Sequence, residues 1–212
     1  MRRGNLARTA SFDRHDVARA ARAVFWSQGY EGAAIPDLEA ATGLSRSSIY
    51  NSFGSKFGLF EAAVESYLKE VVRPRIQPLT GDVVEPGALE AYLRDLRETF
   101  AELTLGTASN GCLLVNTAGS PIAKDAHVAQ VISDYRSELG AAFSRGVAAH
   151  YPRLSPADVS LKSESITALV ISAFALVRVN KDLAVQNLET ALRVIEASPA
   201  SQLGRSRHIV SR

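Results

Sequence analysis

A chain of 212 residues, 46% of them apolar, can bury a substantial core and suits one large domain or two small ones. Its single cysteine excludes an internal disulfide framework and a thiolate metal cage, and points to a reducing compartment. Net charge is only +2, but residues 1–60 hold eight Lys or Arg against five Asp or Glu, whereas residues 61–212 hold sixteen against seventeen, so the positive excess sits at the N-terminal end, as a phosphate-binding surface requires.

Residues 1–12, with Arg2, Arg3 and Arg8 among small polar residues, read as a flexible basic arm. No apolar core follows these arginines, so the arm cannot serve as a signal peptide. The first helix is expected to start at Asp13 as cap and run to about Gln28, with Val17, Ala20–Ala21 and Val24–Phe25 at helical spacing and Gly29–Tyr30 ending it. Ile35 to Lys56 then contains two short helices joined by a tight turn. Ile35, Leu38 and Ala41 share one face of the first. Gly43 stops it, because the residue past a helix C-terminus often needs a left-handed backbone that glycine adopts freely. Ser45 caps the second, whose buried side is Ile49 and Phe53, and Leu44 pins the pair together. Two short helices with a glycine turn form a helix-turn-helix, in which the second helix enters a DNA major groove.

The outer face of that second helix carries Arg46, Ser47, Ser48, Tyr50, Asn51 and Ser52. Arginine can grip guanine bidentately and asparagine adenine, while serine bonds base edges or phosphates. Tyr50 can reach a phosphate and a thymine methyl, and Lys56 adds a phosphate clamp.

Phe25, Gly29–Tyr30, Ala40–Ala41–Thr42–Gly43–Leu44–Ser45, Ile49–Tyr50, Phe53, Lys56 and Leu59–Phe60 together resemble the N-terminal signature of TetR-type (TetR/AcrR) transcriptional regulators, over roughly residues 13–62. The resemblance implies an all-α homodimer of about nine helices. Its helix-turn-helix domain, here residues 13–58, binds double-stranded DNA at a palindromic operator. Its C-terminal domain, here 59–198, binds a small-molecule effector and releases the DNA. Carried over by position, it assigns base contacts to Arg46 and Ser47 with Ser48 and Asn51, and phosphate contacts to Ser45, Tyr50 and Lys56. Two departures stand out. Ala33 and Ala34 replace the usual threonine or serine at the start of the first motif helix, so that phosphate contact is missing or is made by backbone N–H groups. Ser47 stands where many members have glycine.

Phe57 to Val72 reads as a longer connecting helix. Pro74, Pro78, Gly81 and Pro86–Gly87 predict a loop over 74–87. The next helix spans Ala88 to Leu105, followed by a small-residue break from Gly106 to Gly111 and a short buried helix in NGCLLVNTAGS. Ser120–Pro121 is expected to open a helix reaching His150. Ser155–Pro156–Ala157–Asp158 opens another, to about Arg178, apolar almost all round in its second half. Lys181–Asp182 begins a final amphipathic helix through Leu183, Leu188, Leu192 and Ile195, and the tail 199–212 should be disordered. An all-round apolar helix must be covered on more than one side, either within a monomer core or by a second subunit. The family resemblance implies a homodimer through residues 156–197. The apolar run Ile166 to Val177 spans 12 residues, against the roughly 20 a membrane span needs, so no membrane partner is expected and the protein should be cytoplasmic.

No enzyme signature accompanies these features. His15, His127, His150 and His208 are scattered without metal-ligand spacing, and neither a G-x-S-x-G elbow nor a glycine-rich phosphate loop is present, so no catalytic residue, metal or cofactor is expected. The C-terminal half should instead enclose a mostly apolar pocket. Its candidate liners are Tyr92, Leu96, Phe100, Asn116, Tyr135, Leu139 and Phe174, with core packing as the competing role for each. Cys112 adds an alternative in which an exposed thiol senses electrophiles or oxidants covalently. A third possibility is a helical ligand-binding protein that kept the motif without reading DNA, favoured only by Ala33–Ala34.

Overall fold

The computed structural model describes residues 12–103 and 110–197, all of its regular structure helical. The predicted arm, save Phe12, and the tail lie outside these residues, as do Leu105 and most of the small-residue break. In chain order the helices are α1 (Arg14–Gly32), α2 (Ile35–Thr42), α3 (Arg46–Phe53), α4 (Lys56–Tyr67), α5 (Arg73–Thr80), α6 (Ala88–Ala101), α7 (Leu113–Ala118), α8 (Ala126–His150), α9 (Pro156–Leu176) and α10 (Lys181–Glu196).

α1 is capped by Asp13, whose carboxylate accepts the His15 N–H at 2.8 Å. It runs one turn past the expected end, kinking where Gly29 takes φ 75°. Its inner face of Val17, Ala21 and Phe25 packs on α4, with the Phe25 ring edge-on to Phe60 at 5.2 Å and Tyr30 at the same distance from Phe60. This aromatic cluster is the core of the N-terminal head.

The predicted loop over 74–87 is corrected at its start. α4 passes through a π-helical turn, Leu68–Val72, directly into α5, and the chain leaves helix only at Gly81. In a regular α-helix the Pro74 ring would collide with the carbonyl four residues back and would remove a hydrogen bond. The π turn avoids this by letting the Arg73 N–H reach the Leu68 carbonyl, five back. The helix expected from Ser120 is also corrected. Pro121–Lys124 is a 3₁₀ turn, Ser120 makes no cap hydrogen bond, and α8 is capped by Asp125, which accepts from the His127 and Val128 N–H groups.

α9 and α10 form an antiparallel hairpin closed by a four-residue link in which Asn180 caps α10. Lys162 fastens it by donating to the Val194 and Ala197 carbonyls at 2.7 and 2.9 Å. α6 and α8 cover its inner side, with Phe100 of α6 on Phe174 of α9 (5.7 Å), and the two covering helices meet through Tyr92 on Phe143 (5.2 Å). Leu183, expected to face inward, is 44% exposed, because α10 buries Ala184, Leu188, Ala191, Leu192 and Ile195 instead. Ala41 is likewise exposed rather than sharing the buried face of Leu38.

Candidate nucleic-acid interface

The turn between α2 and α3 is set by local chemistry. Gly43 ends α2 at φ 69°, its N–H bonded to the Glu39 carbonyl at 2.9 Å. Ser45 caps α3 by accepting the Ser48 N–H at 3.2 Å, and the Ser47 and Ser48 hydroxyls lie 2.9 and 3.0 Å from its own. Glu39 reaches across from α2 and accepts the Arg46 N–H, so a side chain from one motif helix closes the N-terminus of the other. Sequence reasoning missed Glu39, because nothing in its spacing reveals a partner seven residues on.

α3 buries Ile49 and Phe53 against the head. On its opposite side Ser45, Arg46, Ser47 and Asn51 are exposed, and Ser48 and Tyr50 are half-buried. The Arg46 guanidinium lies 5.6 Å from the Tyr50 ring centroid, one helical turn on, a contact that holds the cation at the surface. Lys56, half-buried at the start of α4, rests its ammonium 4.7 Å from the Tyr30 ring centroid. Burial holds the Tyr30 hydroxyl above its ordinary pKa, so it stays a neutral donor. Arg14 supports the far end of α3, donating to the Ser52 carbonyl and lying 4.5 Å over Phe53. At the start of α2, Ala34 occupies the cap position without a side-chain hydrogen bond, and Pro36 supplies a preset first turn. Ala33 is fully buried and belongs to the head's core.

In the C-terminal body, Tyr92, Tyr135, Leu139 and Phe174 border one small cavity of about 20 Å³, together with Tyr67 and Arg75, which sequence reasoning did not select. Tyr92, Leu96 and Arg75 also border a cleft of about 370 Å³ between α5 and α6. Cys112 is fully buried and donates its S–H to the Tyr135 hydroxyl at 3.4 Å. Burial, reinforced by the nearby thiol, pushes the Tyr67 and Tyr135 hydroxyls well above their ordinary pKa, and burial does the same to Tyr92. Phe100 lies behind Phe174 in the core. Asn116 is half-buried and turned away from the cavity, its amide donating to the Asn110 carbonyl at 2.7 Å. A roomier cleft of about 530 Å³ between α4 and α8 touches none of the predicted liners.

Known proteins share this architecture. Residues 18–63 match the family model of bacterial regulatory proteins of the tetR family. The chain is 30% identical over 143 residues to YezE, an HTH-type transcriptional regulator of Bacillus subtilis (strain 168), covering 67% of this chain and 72% of that one. It is 47% identical over 49 residues to the HTH-type transcriptional repressor AcnR of Corynebacterium glutamicum, covering 23% of this chain and 26% of AcnR. Among solved structures, a cysteine mutant of the TetR family regulator CifR, complexed with 26-bp double-strand operator DNA, superposes with a TM-score of 0.70 at 30% identity, covering 88% of this chain and 98% of that one. With the head's helix-turn-helix and the helical body in the same order, this chain belongs to the TetR family of transcriptional regulators.

Proposed function

We propose that the chain is a cytoplasmic, homodimeric repressor that a small molecule releases from a palindromic operator. The observation that carries the DNA-reading part is the outer face of α3, where Arg46, Ser47 and Asn51 stand exposed on a helix whose other side is locked into the head. Ser48 adds to the base-reading face, Ser45, Tyr50 and Lys56 flank it as phosphate contacts, and the operator complex of CifR supports the same use of the head. Repression is supported by the names of AcnR and of ComR from Escherichia coli (strain K12), both described as repressors.

The effector site we assign to the body cavity among Tyr67, Tyr92, Tyr135 and Cys112. Its three tyrosine hydroxyls are held neutral by burial and Arg75 borders it as a cation, so it suits a compact, largely apolar molecule with one or two hydrogen-bonding atoms. A cavity of about 20 Å³ admits little more than a water, so the ligand must open it toward the α5–α6 cleft past Tyr92 and Arg75. A second reading makes Cys112 the target of an electrophile. Its place beside Tyr135 favours that, and its complete burial opposes it. Retention of the response in Cys112→Ser would remove it.

Operator binding across a salt series tests the head, using the DNA upstream of the protein's own gene. Submicromolar binding with log Kd rising steeply with log salt is expected. Arg46→Ala should cost about 1–3 kcal/mol at one base position and relax sequence preference there. Lys56→Ala should weaken all sequences alike and flatten the salt slope by about one. Unaltered preference in Arg46→Ala would overturn the assignment.

A further inference from the structure

Trp26 lies on α1, away from the DNA-reading face, and is the chain's only tryptophan. Its indole N–H donates to the Gly111 carbonyl of the body at 3.1 Å. Its ring meets Tyr67 edge-on, with centroids 5.0 Å apart. Both contacts belong to the proposed sensing cluster, since Cys112 follows Gly111 directly and the raised pKa of Tyr67 owes part of its shift to that thiol. Gly111 is itself wedged in place. A Cβ there would stand 2.3 Å from the Phe174 carbonyl of α9, and the Asn116 amide holds the preceding Asn110 carbonyl. The segment from Asn110 to Cys112 is therefore clamped by α7, α9 and α1, and a ligand that displaces Cys112 or Tyr67 moves the groups on which Trp26 rests.

The other end of α1 supports the helix α3. Arg14 holds the last turn of α3 through the Ser52 carbonyl, and twelve residues of helix, about 18 Å, separate Arg14 from Trp26. Two more hydrogen bonds dock the C-terminal half of α1 on the body, from the Ile122 N–H to Glu31 at 2.8 Å and from Arg178 to the Ser27 carbonyl at 3.5 Å. Neither touches the cluster. We propose that Trp26 is the positioning residue through which the tyrosine–thiol cluster of the body sets the orientation of the DNA-reading head, with α1 as the lever. This inference rests on the reading of that cluster as the sensing site.

The chain carries one tryptophan, in this contact, and one cysteine, next to Gly111, so both can be followed in the full-length protein. Because coupling is reciprocal, operator binding must alter the cluster as much as the cluster alters operator binding. The experiment measures the rate at which methyl methanethiosulfonate labels Cys112, with and without saturating operator DNA. In the wild type the two rates should differ by at least about fivefold, with a shift in Trp26 emission. Trp26→Phe keeps an aromatic ring on Tyr67 but removes the N–H. It should bring the rates within about twofold while operator affinity stays within about threefold. Tyr67→Phe, which keeps the ring under Trp26 and removes the hydroxyl near the thiol, should reduce the ratio in the same direction. Equal rates in the wild type, or a ratio unchanged in both folded variants, would overturn the proposal. The assay uses no effector, so failure to find an inducing ligand would count against the sensing site and leave the labelling result standing.

Discussion

Gly58 stands in the first turn of α4, where a Cβ would lie 2.0 Å from the Phe53 carbonyl oxygen. The clash is with backbone and cannot be relieved by a rotamer change. Gly58→Ala must push the last turn of α3 away from α4, separating Phe53 from the head's core. Loss of at least about 3 kcal/mol is expected in chemical denaturation, with operator binding lost where the variant still folds. A melting curve matching the wild type would show that the two helices have room the structure does not give them. Other residues of the motif were legible from neighbours a few positions away. Gly43 and Ser45 act on backbone groups within four residues, which is why their roles could be read directly. Glu39 on the Arg46 N–H and Lys56 over the Tyr30 ring depend on how two or three helices meet, and no spacing rule contains that.

The π turn between α4 and α5 is where reading the sequence by its breakers failed. Pro74 and Pro78 suggested a loop, yet widening the helix by one residue accommodates Pro74 and lets α5 continue to Thr80. The same turn carries Glu70 into a cluster of α1 side chains, two of them arginines. Arg19 approaches its carboxylate at 3.2 Å, Arg22 at 2.8 Å and His15 at 2.9 Å, and Arg22 also bonds Ser66. Asp16, 3.4 Å from Arg19, and Asp13 add further negative charge at this site. Hydrogen bonding from Arg19, then from Arg22, holds the Glu70 carboxyl below the usual carboxylate range. A carboxyl depressed in the folded state stabilises it above the unfolded pKa of about 4.3 and ceases to do so as pH falls through the folded value. The difference in Tm between wild type and Glu70→Gln should therefore be full above about pH 5 and shrink steadily in more acid solution. A difference independent of pH would mean that Glu70 acts by packing alone, and that head and π turn are not joined by charge.

At the scale of the whole molecule, the helix order was legible because amphipathic periodicity marks α6 and α10, because Ser155–Pro156 and the apolar run of α9 mark that helix, and because the family motif marked the head. What periodicity cannot show is which apolar surface stays uncovered in one chain. α9 is long and apolar enough to cross a membrane by length and composition, yet only a third of its apolar stretch is buried in the monomer. Leu161, Ser165, Ala168, Ser172 and Ala175 recur along it at steps of three and four, Leu161 being 67% exposed, and Val179 in the link to α10 is 84% exposed. Leu183 extends the strip onto α10. Small residues at its centre let a second helix approach closely, and an uncovered stripe with this spacing fits knobs-into-holes packing between two hairpins in a four-helix bundle. Ala168→Glu would place two like charges near the twofold axis of such a bundle, where an unpaired buried charge costs about 3–5 kcal/mol. The expected outcome is a folded monomer by light scattering at micromolar concentration. Its operator affinity should fall at least about 100-fold, because each head would then bind its half-site without the other. A variant that remains dimeric and keeps full affinity would place the subunit contact elsewhere and leave the exposed stripe of α9 without this role.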